Sequence, residues 1–158
     1  MDKTQTVHYV EGDAYHMPFR KESFDVVVAL DLLEHVSDPE KIMSEMTRVL
    51  RPGGLLFFHT VNKTPLSYFL ISKGKWFVRD TPETYFNFSL FRHPDTVDQW
   101  CEELGLEMQA MRGLRPKLLA KSFWRWLWHR EVSDNMEFVW TKSKPISYTG
   151  YAKKLREH

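Results

Sequence analysis

Cysteine is nearly absent from this 158-residue chain, and the one present, Cys101, excludes an intramolecular disulfide and any cysteine-built metal site. It falls inside a helical pattern, so an inert, half-buried thiol is expected there. No stretch approaches the roughly 18 uninterrupted apolar residues that a spanning helix needs. The polar stretch Met1–Thr6 lacks an apolar signal core, so a cytoplasmic, reducing compartment is the default expectation. Charge of one sign is also lacking: 22 basic residues face 21 acidic ones, which gives no basis for a nucleic-acid partner, and none is expected. Glycine is sparse, at seven residues, and nowhere forms the glycine-rich loop between strand and helix that lets a backbone approach a nucleotide-like cofactor. Gly53-Gly54 precedes a strand instead. The chain shows no internal repeat and no low-complexity linker, and its length suits one compact domain.

What is present reads as alternating strands and helices. Val7–Val10 reads as the end of a strand, and Glu11-Gly12-Asp13-Ala14 as a turn. Phe24–Leu30 is almost wholly apolar with three consecutive valines, the pattern of a parallel strand covered on both faces. A helix should follow, with Ser37 as N-cap, Pro39 in its first turn and Glu40 completing a capping box. Ile42, Met43, Met46, Val49 and Leu50 recur at helical spacing and mark its buried face. Arg51-Pro52-Gly53-Gly54 ends it, and Leu55–Thr60 reads as a second apolar strand. The result is a strand–helix–strand unit, so the chain is α/β.

Beyond residue 60 the pattern is looser. Residues 61–92 are irregular and aromatic. A helix follows His93-Pro94-Asp95, with Val97, Trp100, Cys101 and Leu104 on one face and Gly105 as its cap. Leu106–Met111 and Ser147–Lys154 read as strands. Residues 117–130 read as a tryptophan-rich helix in which Lys117, Lys121 and Arg125 form an i, i+4 ladder. Leu119, Phe123, Trp126 and Leu127 share its apolar side, as in helices that lie in a membrane interface. The bland alternative is a helix packed on the sheet with its basic groups in water. Three segments are thus distinguished: a core over 7–60, an aromatic substrate or lid insertion over 61–95, and a closing part over 96–158.

Three stretches in register carry a family resemblance. They are Gly12-Asp13-Ala14 with Met17-Pro18-Phe19 and Ser23-Phe24-Asp25; then Leu33-Glu34-His35-Val36; then Leu50-Arg51-Pro52-Gly53-Gly54. Together they resemble the motifs that follow the glycine-rich loop in class I S-adenosylmethionine-dependent methyltransferases. Asp31-Leu32-Leu33-Glu34-His35, the run Val61–Tyr68 and Tyr148-Thr149-Gly150-Tyr151-Ala152 are most similar to the O-methyltransferases of ubiquinone biosynthesis. The resemblance loosens over 75–92 and 115–146, the stretches that would shape a substrate pocket.

The resemblance implies a Rossmann-like methyltransferase fold of strand order 3-2-1-4-5-7-6, here lacking its first two strands and the glycine-rich loop. Val7–Val10 would be the third strand and Phe24–Leu30 the fourth. With nothing between them, Val7–Val10 is not expected to hold its family position in an isolated monomer, because both edges would expose unpaired backbone. It implies S-adenosylmethionine as cofactor, with the Asp13 carboxylate and the Ala14 N–H reading the adenine edge and Leu30 against the cofactor. The bland reading of Asp13 is an ordinary turn residue. The implied reaction is methylation of a phenolic or catechol hydroxyl on an apolar small molecule such as a quinone precursor.

Asp31, Glu34 and His35 leave three readings open. If a helix begins early they share one face and would hold Mg2+, binding both catechol oxygens. His35 would otherwise act as a metal-free general base. The third reading is that they only position loops. A rival for the whole chain is a non-catalytic lipid- or partner-binding module derived from a methyltransferase. A second chain, a homo-oligomer or a membrane surface touched by 117–130 are the partners to expect besides the small-molecule substrate. The isolated chain is expected to be inactive or crippled.

Overall fold

The computed structural model describes residues 6–72, 87–117 and 137–156, together with the single positions 119, 121, 124 and 128. Five strands form one sheet in the order β1-β2-β5-β3-β4. They are β1 (Phe24–Leu30), β2 (Leu50–Val61), β3 (Leu106–Pro116), β4 (Phe138–Thr141) and β5 (Ser147–Lys154). Only β1 and β2 run parallel; β5 is antiparallel to β2 and β3, and β4 to β3. Between β1 and β2 lies α1 (Pro39–Val49), the single turn α2 (Pro65–Ser67) follows β2, and α3 (Pro94–Glu103) precedes β3.

The strand–helix–strand reading holds, with its boundaries adjusted. Asp38, not Ser37, caps α1: its side chain accepts the Lys41 N–H at 3.1 Å. Ser37 instead meets the Tyr15 hydroxyl at 3.3 Å, which removes it from the cap. Strand β2 starts at Leu50, because Arg51–Gly54 form a bulge within it instead of a separate turn: pairing steps from Phe24↔Leu50 directly to Val26↔Leu55. Gly53 there has φ +83, and a Cβ on Gly54 would stand 2.8 Å from the Asp25 carbonyl oxygen, so both positions require glycine. The arginine and aspartate of two motif stretches close over this bulge, Arg51 Nη1 lying 2.6 Å from Asp25 Oδ2.

The core fills one side of the sheet. Ile42, Met43 and Met46 of α1, Val97 and Cys101 of α3, and Leu56, Phe58, Tyr148 and Ala152 of the strands pack together there. Full burial of each large side chain stabilises by about 1.5–3 kcal/mol. Cys101 is completely buried, and that burial pushes its thiol up to about 12, consistent with an inert packing role.

The opposite side of the sheet is open. Along β1, Val26, Val28 and Leu30 are 49–61% exposed while Ala29 is buried, so the expectation of a strand covered on both faces is corrected. Among the described residues nothing packs over that face, and β1 is an edge strand. Val7–Val10 is corrected too. It belongs to no strand, and Val7, Tyr9 and Val10 are exposed. Strand β3 runs five residues beyond the expected Met111, and its partner β4 was not foreseen; β5 has the expected bounds.

Most of the 117–130 helix lies outside the described residues, as do Trp76, Phe77, Tyr85 and Phe86 of the aromatic stretch. Leu119 and Trp128 are exposed. No helix among the described residues is long and apolar enough to cross a membrane.

Candidate functional site

In sheets with parallel strands, ligands are bound beyond the carboxyl ends of those strands. Here that end is built by Leu30, which closes β1 opposite His59 of β2, and by the loop Asp31–Asp38. Leu30 is exposed and Asp31 has a left-handed backbone, φ +52, unusual for a residue with a side chain. That turn aims the Asp31 carboxylate sideways at β2, where Oδ1 lies 2.5 Å from His59 Nδ1, while the Asp31 N–H donates to the His59 carbonyl at 3.2 Å.

Glu34 goes the other way. It is buried, and its carboxylate accepts the Thr60 hydroxyl at 2.9 Å. Desolvation raises its pKa above the usual carboxylate value, opposed by hydrogen bonds from its own backbone and from Thr60. His35 is exposed, with its N–H donating to the Leu32 carbonyl at 3.1 Å.

The helix that would have put Asp31, Glu34 and His35 on one face does not form, since α1 begins at Pro39. Consecutive strand residues point to opposite sheet faces, so partners at His59 and Thr60 draw Asp31 and Glu34 apart. Among the described residues no three histidine, cysteine or acidic side chains are grouped as a metal site. The residues as placed do not fit a shared magnesium ion.

The turn bearing Asp13 and Ala14 is well defined. Asp13 Oδ1 accepts the Tyr15 N–H at 2.9 Å, and its other oxygen lies 3.4 Å from His16 Nδ1. The Tyr15 hydrogen bond foremost, then His16, lowers the pKa of this exposed carboxyl. Tyr15 accepts the Asp38 N–H at 3.3 Å through its hydroxyl, tying this turn to the loop that follows β1. Below it, the Arg48 guanidinium grips both Glu45 oxygens at 2.8 and 2.9 Å and donates to the carbonyls of Phe19 and Met17. Glu45 in turn accepts the Met17 N–H at 3.0 Å. The structure therefore brings the Asp13–Ala14 turn and the Asp31–Val36 loop to the start of one helix.

Sequence reasoning missed His59, Thr60, Glu45 and Arg48. The last two had a signal, an i, i+3 acid–base pair on a helix whose apolar stripe was already assigned. The Asn62-Lys63-Thr64 segment turns out to pin the end of β2: Thr64 Oγ1 donates to the Pro145 carbonyl at 2.6 Å, and the Asn62 amide to that of Lys144. On the open sheet face lies a cavity of about 360 Å³, lined by the stacked rings of Phe57 and Tyr151 with Arg112, Thr149 and Trp140.

Residues 1–58 match the model of a methyltransferase domain family. The chain is 31% identical over 125 residues to the ubiquinone biosynthesis O-methyltransferase of Haemophilus ducreyi, covering 75% of this chain and 53% of that protein. It is 36% identical over 104 residues to the enzyme of that name from Actinobacillus pleuropneumoniae, covering 65% and 44%. The chain thus spans about half the length of the curated relatives it matches. Among solved structures, a methyltransferase from Thermotoga maritima described as a possible histamine N-methyltransferase superposes with a TM-score of 0.65 at 17% identity, covering 96% of this chain and 66% of that one. A putative methyltransferase from Bacillus halodurans gives 0.61 at 20%, covering 96% and 73%. The fold is that of the S-adenosylmethionine-dependent methyltransferases, and in sequence the chain is similar to enzymes named for ubiquinone biosynthesis, as the motifs over 7–60 indicated.

Proposed function

We propose that this chain serves an S-adenosylmethionine-dependent O-methyl transfer to a phenolic or catechol hydroxyl of an apolar ring, with a quinone precursor as the substrate class. The observation that carries this reading is the convergence of the Asp13–Ala14 turn and the loop after β1 at the carboxyl ends of the two parallel strands, in a chain similar to enzymes named for that reaction. Asp13 keeps acceptor capacity beyond its bond to Tyr15, and an acceptor beside the Ala14 N–H matches the edge of an adenine. Leu30, exposed at the end of β1, offers an apolar surface against such a ligand.

When bound, the cofactor supplies a methyl group already activated on a sulfonium sulfur. The protein's task is then chiefly to hold the hydroxyl in line and to exclude water. With the cofactor bound, the transfer would exchange its carbon–sulfur bond for the acceptor's carbon–oxygen bond, and the protein would supply a base for the hydroxyl proton. His35, exposed on the loop beside Glu34, is that base in this reading. No step is assigned to a divalent ion, because Asp31 and Glu34 are engaged on opposite sides of β2.

Calorimetric titration with S-adenosylhomocysteine tests the reading. Micromolar binding that weakens at least tenfold in Asp13→Ala is expected. No binding by the wild-type chain would remove the reading for this chain. A peripheral membrane contact through 117–130 belongs to the same proposal, since a substrate with a lipid tail is met at a bilayer. Co-sedimentation with anionic vesicles checks it, and a chain that stays in the supernatant rules it out.

A further inference from the structure

The open side of the sheet is apolar across most of its width. Register carries Val28 to Phe57, Phe57 to Tyr151 and Tyr151 to Ala110, so these four form one row on one face. Phe138 and Trp140 of β4 extend it, each more than half exposed, and the cavity of about 360 Å³ lies between Trp140 and the Phe57–Tyr151 stack. Sheets that turn one face to water carry polar side chains there, so this face is built to be covered. Among the described residues the far edge of β1 is free as well. The β1–α1–β2 crossover packs α1 on the core side. A right-handed crossover that advances the other way, outward from β1, puts its helix on the opposite side, which is the open one.

Two copies of this chain cannot satisfy both the edge and the face. Pairing β1 with its own symmetry mate leaves both open faces uncovered on the same side of the joined sheet. Laying two open faces together leaves both edges free. That face, five strands wide, covers roughly 300 Å², against about 800 Å² on each side of a stable interface. Self-association is therefore weak.

We infer that the free β1 edge and the open face together receive one further α/β segment: a strand parallel to β1 and a helix laid over Val28, Phe57 and Tyr151. An acidic group on that helix would answer Arg112, which lines the cavity and has no acidic partner among the described residues. The relatives carry chain to spare for such a segment. This chain spans about half of the curated proteins it matches, and two solved structures that take in 96% of it have only 66% and 73% of their own length covered. The inference concerns packing and does not rest on the methyl-transfer reading.

The test joins the part of the Haemophilus ducreyi relative that lies outside the match to this whole chain through a flexible linker. Amide exchange in the fusion is compared with exchange in the chain alone, at a concentration where the chain is monomeric. The β1 amides that face away from β2 should exchange about tenfold more slowly in the fusion, with a smaller change in α1. Val28→Lys should return them to the rate of the chain alone, and Arg112→Glu should do so in part. Unchanged β1 exchange in the fusion overturns the inference. So does equal protection of the chain alone at high concentration, which would assign the face to a second copy. Protection by anionic vesicles in place of the fusion would assign it to lipid and overturn the inference likewise. S-adenosylhomocysteine enters none of these measurements, so failure of the cofactor reading leaves their outcome intact.

Discussion

The carboxylates of Asp31 and Glu34, three residues apart in sequence, engage consecutive residues of β2, the first at His59 Nδ1 and the second at Thr60 Oγ1. A strand turns its successive side chains to opposite faces, so one carboxylate lies on the open side of the sheet and the other on the core side. Glu34 sits close enough to buried Tyr148 for its charge to raise that phenol, after desolvation, above its ordinary value. An acid in such surroundings favours its neutral form.

The sign of the pH effect follows directly. Burial raises the folded pKa of Glu34 above its unfolded value near 4.5, so between the two values the folded state holds a proton that the unfolded state has lost. Stability then decreases as pH rises through that window, by up to about 1.4 kcal/mol per pH unit. Urea unfolding of the wild type and Glu34→Gln from pH 4 upward should show wild-type stability falling relative to the variant above about 4.5. A constant difference across that range would place the charge elsewhere.

Gly150 leaves room that Phe58 occupies. A Cβ there would stand 2.5 Å from Phe58 Cζ, and Phe58 is completely buried beneath β5. Gly150→Ala should cost about 1–3 kcal/mol of stability through overpacking. Pairing it with Phe58→Leu should return part of that loss, a coupling that a double-mutant cycle reads directly.

The Arg48 grip supports the proposed cofactor turn without touching it. Its guanidinium holds Glu45 and the carbonyls of Met17 and Phe19, while Glu45 holds the Met17 N–H. Arg48→Ala should loosen the turn around Met17 and Phe19. Amide exchange at Tyr15 and Met17 should speed up more than exchange in β5, and S-adenosylhomocysteine should bind more weakly. Uniform acceleration across the sheet would mean that the grip serves global stability alone.

The strand–helix–strand core was readable from periodicity and turn chemistry because burial on the α1 side is what those patterns record. Ile42, Met43 and Met46 are all buried as their spacing required. One of the three readings of Asp31, Glu34 and His35, the shared face, depended on a helix that begins early. Pro39 and the Asp38 cap set its start, and the irregular loop Asp31–Ser37 before it sends neighbouring side chains to different faces. His59 carried no local signal at all. Its importance comes from a left-handed Asp31 twenty-eight residues earlier, a long-range contact that no short window contains. The open face misled in the opposite sense, since a strand of three valines reads as covered on both sides.

That open face makes the last prediction. Val26, Val28 and Leu30 alternate along an edge strand, 49–61% exposed, with no lysine or proline among them to discourage pairing. Among the described residues the ladder positions of β1 are filled only on the β2 side, so its other edge presents unpaired backbone next to an apolar surface. The chain should therefore associate with itself as concentration rises. Sedimentation equilibrium should show mass increasing with loading concentration, and Val28→Lys should bring the mass back toward that of a monomer. Because Val28 points away from the buried core, the same substitution should change the urea midpoint little. A variant that loses stability instead would show that the face is covered in solution. A wild type that stays monomeric throughout would show that the edge is protected by residues outside those described.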